Sequence, residues 1–329
     1  MQKMILHLLA DGEFHSGSNL SVELGVSRTA IWKHLSSLSD VGLELISVKG
    51  KGYRLTRPIE LLVAWTIRAK LSGQVNSLVS TLTVHDQLAS TNTYLIEQAK
   101  LDSPSGSICL AEHQSAGRGR RGRNWVSPFG CNIYLSVLWR FQEGPSAISG
   151  LSLAAGVAIV RALKAANIDG IGLKWPNDIY WQGHKLGGIL VEVSGESNGP
   201  ISVVTGIGLN LYMPEKQAQK IDQVWTDLEK VSQSPVSRNH LTALLLDHLL
   251  PVLNQFSVNG IQVYLDEWRS YDCLKDQNVT VFIGNETLTG TAEGIDDNGL
   301  FRLRGEDGKI KSFASGEISF NSKSYGYPG

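Results

Sequence analysis

The segment that most restricts the fold runs from Ala111 to Gly130, AEHQSAGRGRRGRNWVSPFG. Arg118, Arg120, Arg121 and Arg123 are interspersed with Gly117, Gly119 and Gly122, and Trp125 and Pro128 follow at once. Apolar runs bracket it, Ile108-Cys109-Leu110 before and Ile133-Tyr134-Leu135 after. A solvated basic tail would not be flanked in this way, so the segment reads as an internal loop. Its chemistry is that of an anion cradle. Glycine backbone reaches positive φ and close approach, and each guanidinium presents a planar fork suited to carboxylate or phosphate. The glycines also spell G-x-G-x-x-G. A dinucleotide loop of that pattern opens a helix directly after a strand, whereas Asn124, Pro128 and Gly130 follow here with no apolar helical stripe.

The 329 residues leave room for two or three domains. A net charge of -1 confines any nucleic-acid contact to one domain or one face. Cys109, Cys131 and Cys273 lack C-x-x-C spacing, which argues against a disulfide framework or metal cluster and points to a reducing compartment. The run Met4 to Ala10 meets Asp11 and Glu13 too soon for a signal peptide. No apolar run approaches membrane-spanning length. The expectation is a cytoplasmic protein without a membrane contact.

Residues 1–57 read as a small helical unit ending in a hairpin. Met4, Ile5, Leu8 and Leu9 mark a first helix, Ser18 is expected to cap a second over Asn19–Leu24, and Gly25 stops it. Ser27 caps a third helix that runs to about Asp40, with Ile31, Leu35 and Leu38 on one face. Leu45–Val48 and Tyr53–Leu55, joined through Lys49-Gly50-Lys51-Gly52, form a wing. The architecture is a winged helix-turn-helix. It holds seven Lys and Arg against five Asp and Glu. Ser27, Arg28, Thr29 and Lys33 on the third helix and Lys49 and Lys51 on the wing lie where groove and phosphate contacts require them. A protein-binding helical unit is the rival reading.

Beyond Pro58, Ile59–Leu71 forms a joint. Ser80–His85 reads as a strand, and Ser90-Thr91-Asn92 caps a helix over Thr93–Lys100. Asn132–Trp139 is a strand and Gly150–Ala166 an alanine-rich helix. Gly172–Trp181, Lys185–Val193 and Ile201–Leu211 make an antiparallel meander with helices to one side, an α+β arrangement. Glycines inside those strands mark places where another body comes close. Residues 238–271 are helical in two pieces, with Pro251 kinking or ending the first. Short alternating runs beyond Asp276 predict a small β-barrel or sandwich with no evident chemistry.

Taken in order, the Gly117–Arg123 run with Trp125, Ser90-Thr91-Asn92, Lys174-Trp175-Pro176-Asn177-Asp178, Lys185-Leu186-Gly187-Gly188-Ile189 and the Gly206–Asn210 strand give the chain a resemblance over nearly its whole length. It resembles the bacterial bifunctional biotin-protein ligases and biotin operon repressors. The resemblance implies three parts: a winged helix-turn-helix over residues 1–63, a catalytic domain over 64–272 with a mixed or antiparallel, class II synthetase-like sheet, and an SH3-like β-barrel over 273–329.

It also implies the reaction. Biotin's carboxylate attacks the α-phosphate of ATP to give biotinyl-5'-AMP and pyrophosphate, and a lysine of a biotin carboxyl carrier protein then takes the biotin. By the same resemblance Ser90, Thr91, Asn92, Gln114, Arg118, Gly119, Arg120, Lys185, Gly187 and Gly188 surround biotin, with Arg118 and Lys185 the catalytic pair. Arg121, Arg123, Trp125, Asn177, Asp178 and Asn210 fall on the nucleotide side, with Asp178 a candidate for Mg2+. The arginine loop is expected to order over the adenylate, and the adenylate-bound form to dimerise on operator DNA. A DNA-binding regulator with a degenerate sensor domain and a lipoyl ligase are the alternatives.

Overall fold

The computed structural model describes residues 2–195, 199–232 and 235–321. Helices α1 (Gln2–Leu9), α2 (Gly17–Leu24) and α3 (Arg28–Ser36) are followed by a 3-10 turn over Ser37–Val41 and by strands β1 (Leu45–Val48) and β2 (Gly52–Leu55). Ser16, not Ser18, caps α2, its hydroxyl accepting Asn19 N–H at 3.0 Å. Ser18 lies inside the first turn of α2 and takes a hydrogen bond from the Arg28 guanidinium. Gly25 at φ 65° ends α2, and Ser27 Oγ accepts Ala30 N–H at 3.2 Å to start α3. Ile5, Leu9, Leu20, Ile31, Leu35, Leu38 and Leu55 form the core of this unit.

Next come α4 (Ala64–Ala69), α5 (Gly73–Asn76), β3 (Thr81–Leu88), α6 (Thr91–Lys100), β4 (Ser107–Gln114), β5 (Ile133–Phe141), α7 (Leu151–Ala165), β6 (Ile171–Lys174), β7 (Asp178–Trp181), β8 (His184–Gly195) and β9 (Ile201–Leu209). The short helices α8 (Glu215–Ala218) and α9 (Leu228–Ser232) precede α10 (Arg238–Asn259) and α11 (Leu265–Ser270). One seven-stranded sheet runs in the order β3-β4-β5-β9-β8-β7-β6. Only its β3–β4 pair is parallel, because α6 crosses between them; the other neighbours are antiparallel.

Helices cover both faces, not one as the sequence suggested. Ile108 and Leu110 of β4 pack with α7 and α10, whereas Cys109 between them packs with Leu95 and Ala99 of α6. The period-two alternation of a strand puts these neighbours on opposite faces. α10 continues through Pro251 instead of ending there. Contrary to the sequence expectation, the segments Pro145–Ala165 and Arg238–Asn259 are long and apolar enough to cross a membrane by length and composition. Both are mostly buried, and their helices form the core beneath the sheet.

Strands β10 (Asn278–Ile283), β11 (Glu286–Ile295), β12 (Phe301–Arg304), β13 (Ile310–Phe313) and β14 (Glu317–Phe320) make a third sheet in the order β13-β12-β11-β10-β14. β14 escaped the sequence reading because a four-residue strand is too short a run to show a clear alternation.

Buried polar contacts tie the parts together. Arg238 donates to Glu112 at 2.7 Å and to the Glu60 and Asn132 carbonyls, and Glu112 accepts Leu62 N–H. Phe129 inserts into the winged-helix core, and its N–H donates to Val41 O at 2.9 Å.

Candidate active site and DNA-facing surface

A cleft of about 1230 Å³ lies on the α6 face of the large sheet. Its floor is β9 and β8, where Gly208 pairs with Gly188 and Gly206 with Leu190. The strand glycines are needed for space. A Cβ on Gly206 would stand 2.1 Å from Asn92 Oδ1, and one on Gly208 would stand 2.5 Å from Trp125 Cε2.

The N-terminus of α6 forms one end. Ser90 caps it, while Thr91 N–H and Oγ1 donate to Gln114 Oε1 at 2.9 and 3.2 Å. Gln114 Nε2 donates to Ser127 at 3.1 Å, and Ser136 donates to Thr91 and to Asn92 Oδ1. Asn92 Nδ2 reaches Leu190 O at 3.2 Å and Glu192 Oε2 at 2.9 Å. Thr91, Asn92 and Gln114 are each held by other side chains and Ser90 by its cap bond to Thr93 N–H, which is the rigidity a small polar ligand group needs.

The arginine loop closes over the cleft as a short hairpin. Gly119 N–H donates to Arg123 O at 2.7 Å and Trp125 N–H to Gly117 O at 2.8 Å, with Arg121 in the left-handed region at φ 56°. The four guanidiniums are directed to separate partners. Arg118 Nη2 lies 2.8 and 2.7 Å from the two Glu192 oxygens. Arg120 donates to Asn177 Oδ1 at 3.0 Å and to Gly316 O, and burial lowers its pKa. Arg123 holds Glu317, which also lies 3.9 Å from Arg121. The hydrogen bond from Arg123 lowers the Glu317 pKa. The C-terminal sheet therefore supplies part of the cleft wall, through Gly316, Glu317 and Phe320, where the sequence offered no chemistry.

Lys185 is the second residue of β8, and its Nζ lies 2.9 Å from Asp178 Oδ1, both side chains mostly buried. The Trp125 ring is 5.7 Å from the same Nζ. Trp125 Nε1 is buried without a hydrogen-bond partner among the described residues. Asn177 Nδ2 donates to Ile189 O at 2.7 Å, which fixes the residue that receives Arg120.

Two expected residues stand apart from the cleft. Gly187 faces the packed side, where a Cβ would meet Leu209 and Ile179, because strand alternation turns it away from its neighbour Gly188, whose side of β8 faces the cleft. Asn210 is buried beyond β9, donates to Thr226 O at 3.1 Å, and lines a small adjoining cavity with Trp125 and Lys185. Sequence reasoning missed Glu192, Glu317, Ser127, Ser136 and Lys174. Lys174 alone carried a signal, since it opens the Lys-Trp-Pro-Asn-Asp stretch.

On the winged helix, Thr29 and Lys33 lie on exposed or half-exposed parts of α3 and Lys49 and Lys51 at the exposed turn between β1 and β2. Ser27 serves as the α3 cap and Arg28 as the tie to α2. Trp32 is 62% exposed on the same helix.

A winged helix joined to a sheet with a polar, arginine-capped cleft and a small β-unit at its rim defines a two-substrate anion-activating enzyme with a DNA-binding module. Three family models match along the chain: HTH domain over residues 1–54, Biotin/lipoate A/B protein ligase family over 84–210, and Biotin protein ligase C terminal domain over 276–321. The chain belongs to the biotin protein ligase family. It is 42% identical to the Bifunctional ligase/repressor BirA of Escherichia coli (strain K12), over 97% of this chain and 96% of that protein. The protein of the same name from Bacillus subtilis (strain 168) is 33% identical, with 94% of each chain covered. Among solved structures, the biotin protein ligase from Aquifex aeolicus in complex with biotin and ATP matches with a TM-score of 0.62 and 27% identity, over 74% of this chain and 99% of that one.

Proposed function

We infer that the protein activates biotin with ATP to biotinyl-5'-AMP and transfers the biotin to a lysine of a biotin carboxyl carrier protein, and that it represses biotin synthesis genes through its winged helix. The observation that carries this reading is the convergence on one cleft of the α6 cradle, the arginine hairpin and the Lys185–Asp178 pair, in a chain of the biotin protein ligase family. Joining two anions is chiefly a matter of positioning and charge neutralisation.

In this reading Ser90, Thr91, Asn92 and Gln114 hold the ureido end of biotin. Arg118, Gly119, Arg120, Lys185 and Gly188 surround its carboxylate and the α-phosphate, and Gly187 acts from behind by letting β8 and β9 approach. Arg121, Arg123, Asn177 and Asp178 attend the phosphates. Trp125 covers the adenine, its unpartnered Nε1 available to the nucleotide. Asn210 supports Trp125 and Lys185 from the adjoining cavity.

Mg2+ is proposed as the accompanying ion. No cluster of three metal-ligating side chains exists among the described residues, so the donor set fits an ion held by Asp178 and by substrate phosphates, the habit of Mg2+. Bound there, it would neutralise triphosphate charge. Ser27, Arg28, Thr29, Lys33, Lys49 and Lys51 are proposed to face operator DNA. We further propose a cytoplasmic location, dimerisation of the adenylate-bound form, and domains spanning 1–63, 64–272 and 273–329, of which 322–329 lie outside the described residues. One ligand then couples ligation to repression. Mass spectrometry of a purified biotin carboxyl carrier domain after incubation with biotin, ATP and Mg2+ tests the enzyme: a single biotin adduct is expected, and no adduct contradicts the reading.

A further inference from the structure

Most cations around the cleft already hold a carboxylate: Arg118 holds Glu192, Arg121 and Arg123 hold Glu317, and Lys185 holds Asp178. Lys174, the last residue of β6, also lines the cleft, yet no carboxylate pairs with it among the described residues. Its Nζ donates to Tyr180 Oη at 3.2 Å and stands 5.0 and 5.4 Å from the ring centroids of Tyr180 and Phe320. Ring faces attract a cation, but they do not cancel its charge. Burial accordingly lowers the Lys174 pKa, with Asp178 opposing that effect from a distance.

The sheet register fixes where this ammonium lies. Gly208 pairs with Gly188, Gly188 with Asp178, and Asp178 with Lys174. With strands spaced about 4.8 Å apart, that row spans roughly 14 Å. Trp125 packs over its Gly208 end, the Lys185–Asp178 pair occupies the middle, and Lys174 ends it beside Phe320 of the C-terminal sheet. A nucleotide with its base under Trp125 and its α-phosphate at Lys185 therefore directs its β- and γ-phosphates toward Lys174.

We propose that Lys174 is a catalytic residue of the adenylation step that binds the departing pyrophosphate. The proposal rests on the adenylation reading above. A biotin carboxylate oxygen forms a bond to the α-phosphorus, the bond from that phosphorus to the α,β-bridging oxygen breaks, and its electron pair leaves with pyrophosphate. No proton need move. Negative charge accumulates on the leaving group, where a preoriented ammonium in a partly desolvated site stabilises it most. The second step, attack of the acceptor lysine on the adenylate, releases AMP and places no charge at this end of the cleft.

The two half-reactions separate this role from a structural one. Lys174→Met keeps the unbranched stem against the rings and removes the charge. In biotin-dependent ATP–pyrophosphate exchange it is expected to lose on the order of a hundredfold, with a raised KM for pyrophosphate. Transfer from supplied biotinyl-5'-AMP to the carrier protein should stay near the wild-type rate, and Lys174→Arg should recover part of the exchange. Unchanged exchange in Lys174→Met, or equal loss in both half-reactions, would overturn the proposal. Absence of biotin-dependent exchange in the wild type would overturn the adenylation reading itself.

Discussion

Arg118 and Glu192 face each other across the mouth of the cleft, one guanidinium nitrogen within 2.8 Å of both carboxylate oxygens. The pair is partly exposed, so its own contribution to stability is small. Its value is geometric, since Glu192 also accepts from Asn92 and so aligns the arginine loop with the α6 cradle. Glu192→Ala should leave the melting temperature nearly unchanged but weaken biotin binding roughly tenfold, about 1.4 kcal/mol, through loss of charge-assisted hydrogen bonds. Calorimetric titration with biotin checks this. An unaltered Kd would remove Glu192 from the site.

The two floor glycines lie against different parts of the cleft, Gly206 against Asn92 and Gly208 against Trp125, which the proposed function assigns to biotin and to ATP. Asn92 is fixed by three partners, so the Cβ of Gly206→Ala cannot be accommodated by a simple swing of the amide. Loss of one or two hydrogen bonds, about 1.5–3 kcal/mol, predicts roughly ten- to a hundredfold weaker biotin binding with the KM for ATP little changed. Gly208→Ala, which displaces Trp125, should show the reverse pattern. Equal effects of both variants on both substrates would contradict the assignment of the two ends.

Phe129 lies four residues after Trp125 and is buried in the winged-helix core. A Phe→Ala change in such a core costs about 3–5 kcal/mol. Phe129→Ala should therefore lower the unfolding temperature of the N-terminal unit and uncouple operator binding from biotin and ATP, while exchange activity falls only a few-fold. Gel shifts with and without the two substrates test this, and an intact ligand response would place the coupling elsewhere.

Burial pushes the Asp272 carboxyl up from 3.8 to about 6. One oxygen accepts Leu274 N–H and the other is buried without a hydrogen bond among the described residues. The fold favours the protonated form, so stability from this group is present below about pH 4 and is lost as pH rises through about 6. Urea unfolding of Asp272→Asn should lack this part of the wild-type decline and give the more stable protein at pH 7. Parallel curves for the two proteins from pH 4 to 7 would refute it.

The sequence exposed those features that are encoded locally. Ser27, Gly25 and the alternating wing residues announced the winged helix, and Gly206 and Gly208 announced a close approach to β9. What escaped it depends on distant partners. Arg118 meets Glu192 across 74 positions and Arg123 meets Glu317 across 194, and nothing near either acid signals that contact. Gly187 and Gly188 look equivalent in the chain, but strand alternation sends them to opposite faces, and the bulge between Lys185 and Gly187 is what brings Lys185 to the same side as Gly188. The helix that the sequence starts after Ser18 begins two residues earlier, after Ser16, and Ser18 meets Arg28 from within it.

The most direct test of the central claim is biotin-dependent ATP–pyrophosphate exchange by the wild type and by Arg118→Ala, with operator binding of both proteins measured without substrates. The cleft geometry predicts exchange that requires both biotin and ATP and falls on the order of a hundredfold or more in the variant, with substrate-free operator binding unchanged. Exchange that proceeds without biotin, or that survives the loss of Arg118, would contradict it.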